Sequence, residues 1–295
     1  MSKNSATDAE IVFVAKAHEP PLRDFRDAMI YPFVSIAKRQ STPISFADSA
    51  VRFQVVGTQE WGLPTIWDWD LIIWLLSQIN ESKELGLHVA PRINFRPSRF
   101  FKDVGRSASG KSYQELANTV RRLRTSTILT CRQSLGGLAT EKPFSWLASY
   151  QLPLKDKCEP DTGRLWTVEF PDWLFSAVCE QKTLLAIHPH YFSLQSGIER
   201  ALYRVARKSV PKDQGYWAWR MDTLHARLCV RRPLRSFSRD VREISKRNLI
   251  PEYQIEVRRK RAHELVVFTL DPSKPPRPRR GAFHPDQKLF EEDSA

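Results

Sequence analysis

The sequence predicts an α+β protein made of two tandem winged-helix domains, each a helix-turn-helix followed by a β-hairpin wing. Three observations carry that expectation. Helical and strand periodicities follow one another in the order helix, turn, helix, hairpin, and they do so twice along the 295 residues. In both repeats the last helix pairs one apolar stripe with a polar, basic face. Nearly all the excess positive charge falls in the second repeat. The expected organisation is a flexible N-terminal arm (1–27), a first winged-helix domain (28–170), a second, strongly basic one (171–271), and a disordered tail (272–295) that is Pro-rich and basic, then acidic.

Length and composition bound the classes. Hydrophobic residues at 41% and charged residues at 27% fit a globular chain with enough length to bury a core. The longest apolar run, Leu71 to Leu76, is too short to span a bilayer, and Met1-Ser2-Lys3-Asn4-Ser5 opens no apolar signal core. A soluble, cytoplasmic protein without membrane contact is therefore expected. Cys131, Cys158, Cys179 and Cys229 form no CxxC pair and read as small buried hydrophobes in a reducing compartment.

The elements follow in order. Residues 1–27 are polar apart from Ile11 to Val14. Arg52 to Val56 alternates as a strand. Asp68 or Asp70 stands at an N-cap position before Leu71 to Leu76, and Gly86 stops that helix near Leu85. Trp67, Trp69 and Trp74 read as core anchors. Ser98 to Val104 is a short helix ended by Gly105, and Ser112 with Glu115 has capping-box spacing. Leu116, Val120 and Leu123 then form an inward stripe, while Lys111, Gln114, Asn118, Arg121 and Arg122 lie on or beside the polar face. Strands at Ser126–Gln133 and Lys142–Tyr150, joined through Gly136-Gly137, complete the first outline.

Phe170-Pro171-Asp172-Trp173 closes a strand, opens a helix and marks the hinge region, and Leu184 to Ile187 reads as a strand. The helix at Gly197–Val205 turns Ile198, Leu202 and Val205 inward. A short strand at Trp217–Trp219 and a short helix from Met221 to Cys229 follow. In the next helix Phe237, Val241 and Ile244 are inward at i, i+4 and i+7. Arg235, Arg239, Arg242 and Lys246 share the other face at i, i+4, i+7 and i+11, a stripe about 16 Å long. Each like-charge i,i+4 contact costs a few tenths of a kcal/mol, so the stripe is a liability without an anionic partner. Asp240 and Glu243 relieve part of it, which also suits a merely solvated face. Two strands at Tyr253–Val257 and Glu264–Leu270 flank Arg258-Arg259-Lys260-Arg261, giving a hairpin with a cationic tip. Lys274 to Arg280 reads as an extended basic segment.

The charge distribution favours a polyanion partner. Residues 200–261 hold 18 Lys/Arg against 6 Asp/Glu, whereas residues 1–199 hold 23 against 21. A surplus this local is the footprint of a nucleic-acid-binding face rather than of interspersed solubilising charge.

Catalytic constellations are weak. His188-Pro189-His190 with Tyr191 or Tyr203 resembles the metal-binding histidines and nucleophilic tyrosine of rolling-circle nucleases, but a central proline cannot join a central ladder. Tyr191 also adjoins His190 directly and no third metal ligand is obvious, so a strand end entering a short helix is the reading preferred, with the nuclease a remote alternative. Neither GxxxxGK[ST] nor GxGxxG occurs, and helix capping accounts for Asp68 and Asp70. No enzyme, metal or cofactor is expected.

Several blocks resemble the plasmid replication initiator protein A family. They are Tyr31-Pro32-Phe33-Val34-Ser35-Ile36-Ala37-Lys38, Thr65-Ile66-Trp67-Asp68-Trp69-Asp70, Phe170-Pro171-Asp172-Trp173, Tyr191-Phe192 leading into Gly197 to Arg204, and Arg235-Ser236-Phe237 through Ile244. The likeness spans about Tyr31 to Leu270 and departs at Ser209-Val210-Pro211-Lys212, where a glycine-rich connection is expected. It implies a non-enzymatic, iteron-type initiator that binds repeats in double-stranded DNA at a plasmid origin, helps to open an AT-rich region, and recruits the host initiator and replicative helicase. Related initiators also dimerise and repress their own promoter. On this reading Arg235, Arg239, Arg242 and Lys246 meet the major groove or its phosphates, and Arg258, Arg259 and Lys260 the flanking backbone. In the first domain Gln114 and Asn118 suit adenine. A transcriptional repressor without initiator activity shares all of these features.

Overall fold

The computed structural model describes residues 12–16, 20–49, 51–133, 139–153, 164–179, 183–211 and 213–277. Short strands β1 (Phe13–Val14) and β2 (Arg23–Phe25), a 3₁₀ turn (Arg26–Met29), and the hairpin β3 (Ile44–Ala47) and β4 (Arg52–Val56) lead to helix α1 (Trp69–Glu84). β5 (Arg92–Phe95), α2 (Pro97–Asp103), α3 (Gly110–Thr125), β6 (Thr127–Gln133), β7 (Ala139–Phe144), β8 (Ser149–Gln151) and β9 (Trp166–Glu169) follow. The remainder comprises α4 (Asp172–Cys179), β10 (Leu184–Ala186), a 3₁₀ turn (Pro189–Ser193), α5 (Gly197–Ser209), β11 (Tyr216–Arg220), α6 (Met221–Arg227), α7 (Leu234–Arg247), β12 (Tyr253–Lys260) and β13 (His263–Leu270). The fold is mixed α+β.

The first unit is built around α1. Its apolar run is buried on every side, as an all-round hydrophobic helix must be. Trp74 meets the rings of Phe95 and Phe100, and Trp69 meets Trp146 edge-on. Two four-stranded sheets, β3-β4-β6-β7 and β1-β5-β9-β8, complete the unit. The expected first wing divides between them: the run 142–150 ends as β7 at Phe144 in one sheet and resumes as β8 in the other. The Gly136-Gly137 connection and Cys158 lie outside the described residues.

In the second unit α5, β11, α6, α7 and the β12–β13 hairpin follow in sequence, and the sheet order is β11-β13-β12. Phe237, Val241 and Ile244 on α7 are buried with Ile255, Val266 and Phe268 of the hairpin.

Three expectations are corrected. Residues 13–14 and 23–25 are not a loose arm: Phe13 is buried, β1 pairs in parallel with β5, and β2 pairs antiparallel with β10 of the later chain. The expected hinge is packed, with Phe170 buried and Trp173 against Phe25, Phe144 and Trp146. The tail is fastened at its start. Lys274 Nζ donates to the carbonyls of Asn248, Ile250 and Tyr253 just beyond α7, and Arg277 pairs with Glu252 at 2.6 Å. These cations are engaged with the body rather than held out for phosphates.

Candidate nucleic-acid interface

α7 presents the expected cationic row. Arg235 is exposed, and the side chains of Arg239 and Lys246 are 72% exposed. Arg242 is less open, because its guanidinium pairs with Glu264 on β13. Lys246 pairs with Glu243 at 2.9 Å, and Arg239 lies 3.8 Å from Asp240. Exposed pairs of this kind contribute about 0–1 kcal/mol and are readily exchanged for an anionic ligand. Asn248, in the left-handed region at φ 50°, ends the helix.

The hairpin beside it turns tightly at Arg261-Ala262, with Lys260 opposite His263 and Arg261 at φ 55°. Arg258, Arg259, Lys260 and Arg261 are all exposed, and Arg258 is held by Glu256 at 2.7 Å. Arg261 belongs with the three cations expected there; its place at the turn is fixed by the strand register, which residue periodicity does not give.

On α3, Lys111 and Gln114 are exposed. Gln114 Nε2 donates to Asn118 Oδ1 at 3.3 Å, and Arg121 Nη1 donates to the same oxygen at 3.1 Å. The Arg121 guanidinium also stacks on Trp61, 4.8 Å from the ring centroid. These three form one surface row. Arg122 does not join it. Its Nε and Nη2 donate to both oxygens of Asp68 at 2.8 and 2.7 Å, and Nη2 reaches Glu115 at 2.8 Å, leaving the side chain 14% exposed. Arg122 is thus an internal tie, and Arg124 is the exposed arginine of that turn. The helix also begins earlier than expected, because Ser109 is the cap, accepting from Ser112 N, and Ser112 lies inside the first turn.

Asp68 and Asp70 depart furthest from the sequence reading. Asp68 sits at the N-cap of α1, yet its side chain accepts from Thr65 N, Thr65 Oγ1, Thr119 and Arg122 rather than from helix amides. Asp70 is wholly buried and divides its oxygens between Arg106 and Arg200, both at 2.6 Å. Burial raises its carboxyl above the usual range, and the two guanidiniums work against that rise. One turn further along α5, Arg204 Nε donates to Asp24 at 2.8 Å, and Trp69 Nε1 donates to the same carboxylate. A cleft of about 470 Å³, lined by Lys38, Arg39, Trp67, Arg106, Arg122 and Arg200, opens along this seam. Arg200, Arg204 and Arg247 belong to the basic segment but face carboxylates of the protein itself.

His188 and His190 mark the expected strand end and 3₁₀ turn. His188 Nδ1 accepts from His190 N, and Tyr191 is fully buried against the guanidinium of Arg200. Among the described residues, no helix is long and apolar enough to cross a membrane. Cys179 and Cys229 are half-buried free thiols.

The arrangement has known counterparts. Two crystal structures of domains 2 and 3 of RctB superpose with TM-scores of 0.60 and 0.58 at 12% identity, covering 81% of this chain and 94% and 95% of theirs. The class is therefore an α+β fold of the kind those two domains adopt. A protein described as a putative replication protein, from Wigglesworthia glossinidia brevipalpis, is 26% identical over 195 residues, 66% of this chain and 70% of that protein. The family model for Replication initiator protein A matches residues 23–255, and the chain belongs to that family.

Proposed function

We propose that this member of the family is a sequence-specific, double-stranded DNA-binding initiator with no catalytic step of its own. It binds repeats at a plasmid origin in the cytoplasm, promotes opening of the adjacent duplex, and recruits the host initiator and replicative helicase. Homodimerisation belongs to the same reading. The observation that carries it is the exposed cationic row of α7 beside a cation-tipped hairpin. We read α5 to β13 as a winged helix, with α7 as the recognition helix and the β12–β13 turn as the wing. A helix in the groove reads base edges through arginine forks, while cations on the hairpin position the duplex through its phosphates. The row Gln114, Asn118 and Arg121 on α3 supplies a second reading surface of different chemistry.

The test is fluorescence anisotropy with duplex from the DNA flanking its gene, against a scrambled duplex, across a salt series. Preference for the native duplex at physiological salt is expected, and Arg239→Ala is expected to lower cognate affinity by about 1–3 kcal/mol. Equal, steeply salt-sensitive binding to both duplexes would reduce the row to a phosphate clamp. Binding without replication of a plasmid bearing the gene and its repeats would leave a repressor.

A further inference from the structure

We infer that a chain of ion pairs, buried at its centre and half-exposed only at Arg247, joins α3 to α7 and fixes how the two reading surfaces are held relative to one another, with Asp70 and Arg200 as its positioning residues. Only the consequence for DNA spacing rests on the reading above; the lock itself is a property of the protein alone. The chain starts at Arg122 of α3, which is bidentate on Asp68. Two residues on, Asp70 holds Arg106, from the link before α3, on one oxygen and Arg200 of α5 on the other. The residue beside Arg200, Glu199, takes Arg247 from the last turn of α7 at 2.8 Å, while its second oxygen accepts from Ser196 N. Three ion pairs and two short covalent steps thus span the distance between the helices.

Direction is what such a chain adds. Apolar contact is non-directional, and an apolar seam tolerates sliding. A buried carboxylate shared by two guanidiniums does not, because any shift strands a charge away from water. Arg200 has no second position to adopt, since Nε donates to Leu194 O, Nη2 to Phe192 O, and its plane lies against Tyr191. Further pins prevent rotation about this one. They are Arg204 on Asp24, one turn along α5, and Arg227 of α6 on Asp48. Gly197 adds a steric stop, because a Cβ there would lie 2.0 Å from the carbonyl of Ile36. With the helices locked in this way, the protein reads its two DNA elements at one set spacing.

Two readouts test this. Noncanonical spin labels at Lys111 and Arg239 report the α3-to-α7 distance without DNA. A single narrow distribution is expected for the native chain, and a broadened one for Arg200→Met and Arg247→Gln, each folded by circular dichroism. Should Arg200→Met not fold, Arg247→Gln and Asp70→Asn carry the test, Arg247 being half-exposed. The second readout inserts five base pairs, half a turn, between the two blocks that the native chain protects on its flanking duplex; a loss of about tenfold is expected for the native chain and less than about threefold for the variants. A broad distribution in the native chain, or an unchanged narrow one in folded variants, overturns the lock. If the flanking duplex is bound no better than the scrambled one, the DNA reading fails and the spin-label distances still decide the inference.

Discussion

α5 and α7 are near twins in sequence pattern and opposites in burial. Each has an apolar stripe at helical spacing, and each carries arginines four residues apart: Arg200 and Arg204 on one, Arg235 and Arg239 on the other. On α7 the arginines stand in solvent; on α5 both are buried, 3% and 4% exposed. The difference lies in neither helix. It lies in Asp70 and Asp24, residues of the first unit that meet the α5 arginines across 130 and 180 positions of chain. A cationic face is a binding surface or an internal fastening according to whether the fold has already supplied its anions.

The sharpest way to break this comparison is to remove one arginine from each helix and measure stability. Arg204→Met leaves Asp24 buried with Trp69 and its own local amide as partners, and should lose about 3–5 kcal/mol in urea unfolding. Arg239→Ala should stay within about 0.5 kcal/mol of the native chain, because nothing buried depends on it. Equal effects would dissolve the distinction. The double variant Asp24→Leu, Arg204→Met sharpens it further. Recovery of most of the lost stability is expected, since a buried ion pair adds little net stability over well-packed apolar groups. That recovery would leave orientation as what the pair contributes.

A smaller effect tests whether the interior resists further positive charge. His188 is buried beside His190 and Arg277, and burial first, then those neighbours, push its pKa down from 6.5 to about 4. The unfolded chain takes up this proton near pH 6.5, before the folded one. Stability is thus fully present above that value and is lost as pH falls towards 4, on the order of 3 kcal/mol. Protonation also removes the Nδ1 acceptor that holds His190 N. In His188→Gln the slope between pH 6.5 and 4 should flatten; an unchanged slope would place the titrating group elsewhere.

Much of this was legible in the sequence, and the omissions share a cause. The stripes of α3, α5 and α7 and the β12–β13 hairpin follow from periodicity, because each is decided by residues within one or two turns of each other. Two or three residues carry no periodicity, so the strands at 13–14 and 23–25 look like an arm in the sequence; their partners at 93–94 and 184–186 make them strands. Asp68 and Asp70 have the look of caps in the sequence because an acid before an apolar run satisfies that rule. Only the arrival of Arg122, Arg106 and Arg200 shows that the carboxylates serve tertiary pairing. A single apolar stripe leaves every other position nominally exposed and so puts Arg122 outward, whereas α3 also buries Thr119 beside Asp68. In each case the deciding partner lies tens of residues away.

The smallest effect tests the outer half of the comparison where stability is blind. Lys246 stands 72% exposed at the far end of the α7 row, paired with Glu243 one turn back. An ammonium is a point charge without a fork, so against DNA it serves a phosphate rather than a base edge. Each phosphate neutralised releases close to one condensed counterion, so Lys246→Ala should reduce the slope of log K against log salt by about one. Cognate and scrambled duplexes should weaken together, leaving their ratio unchanged. Arg247, next in sequence, gives the control: Glu199 already holds it, so Arg247→Gln should leave the slope as it was. A slope that falls for Arg247→Gln and not for Lys246→Ala would mean that the duplex lies on the other side of α7, and the division between inner and outer cations would have to be redrawn from that helix outward.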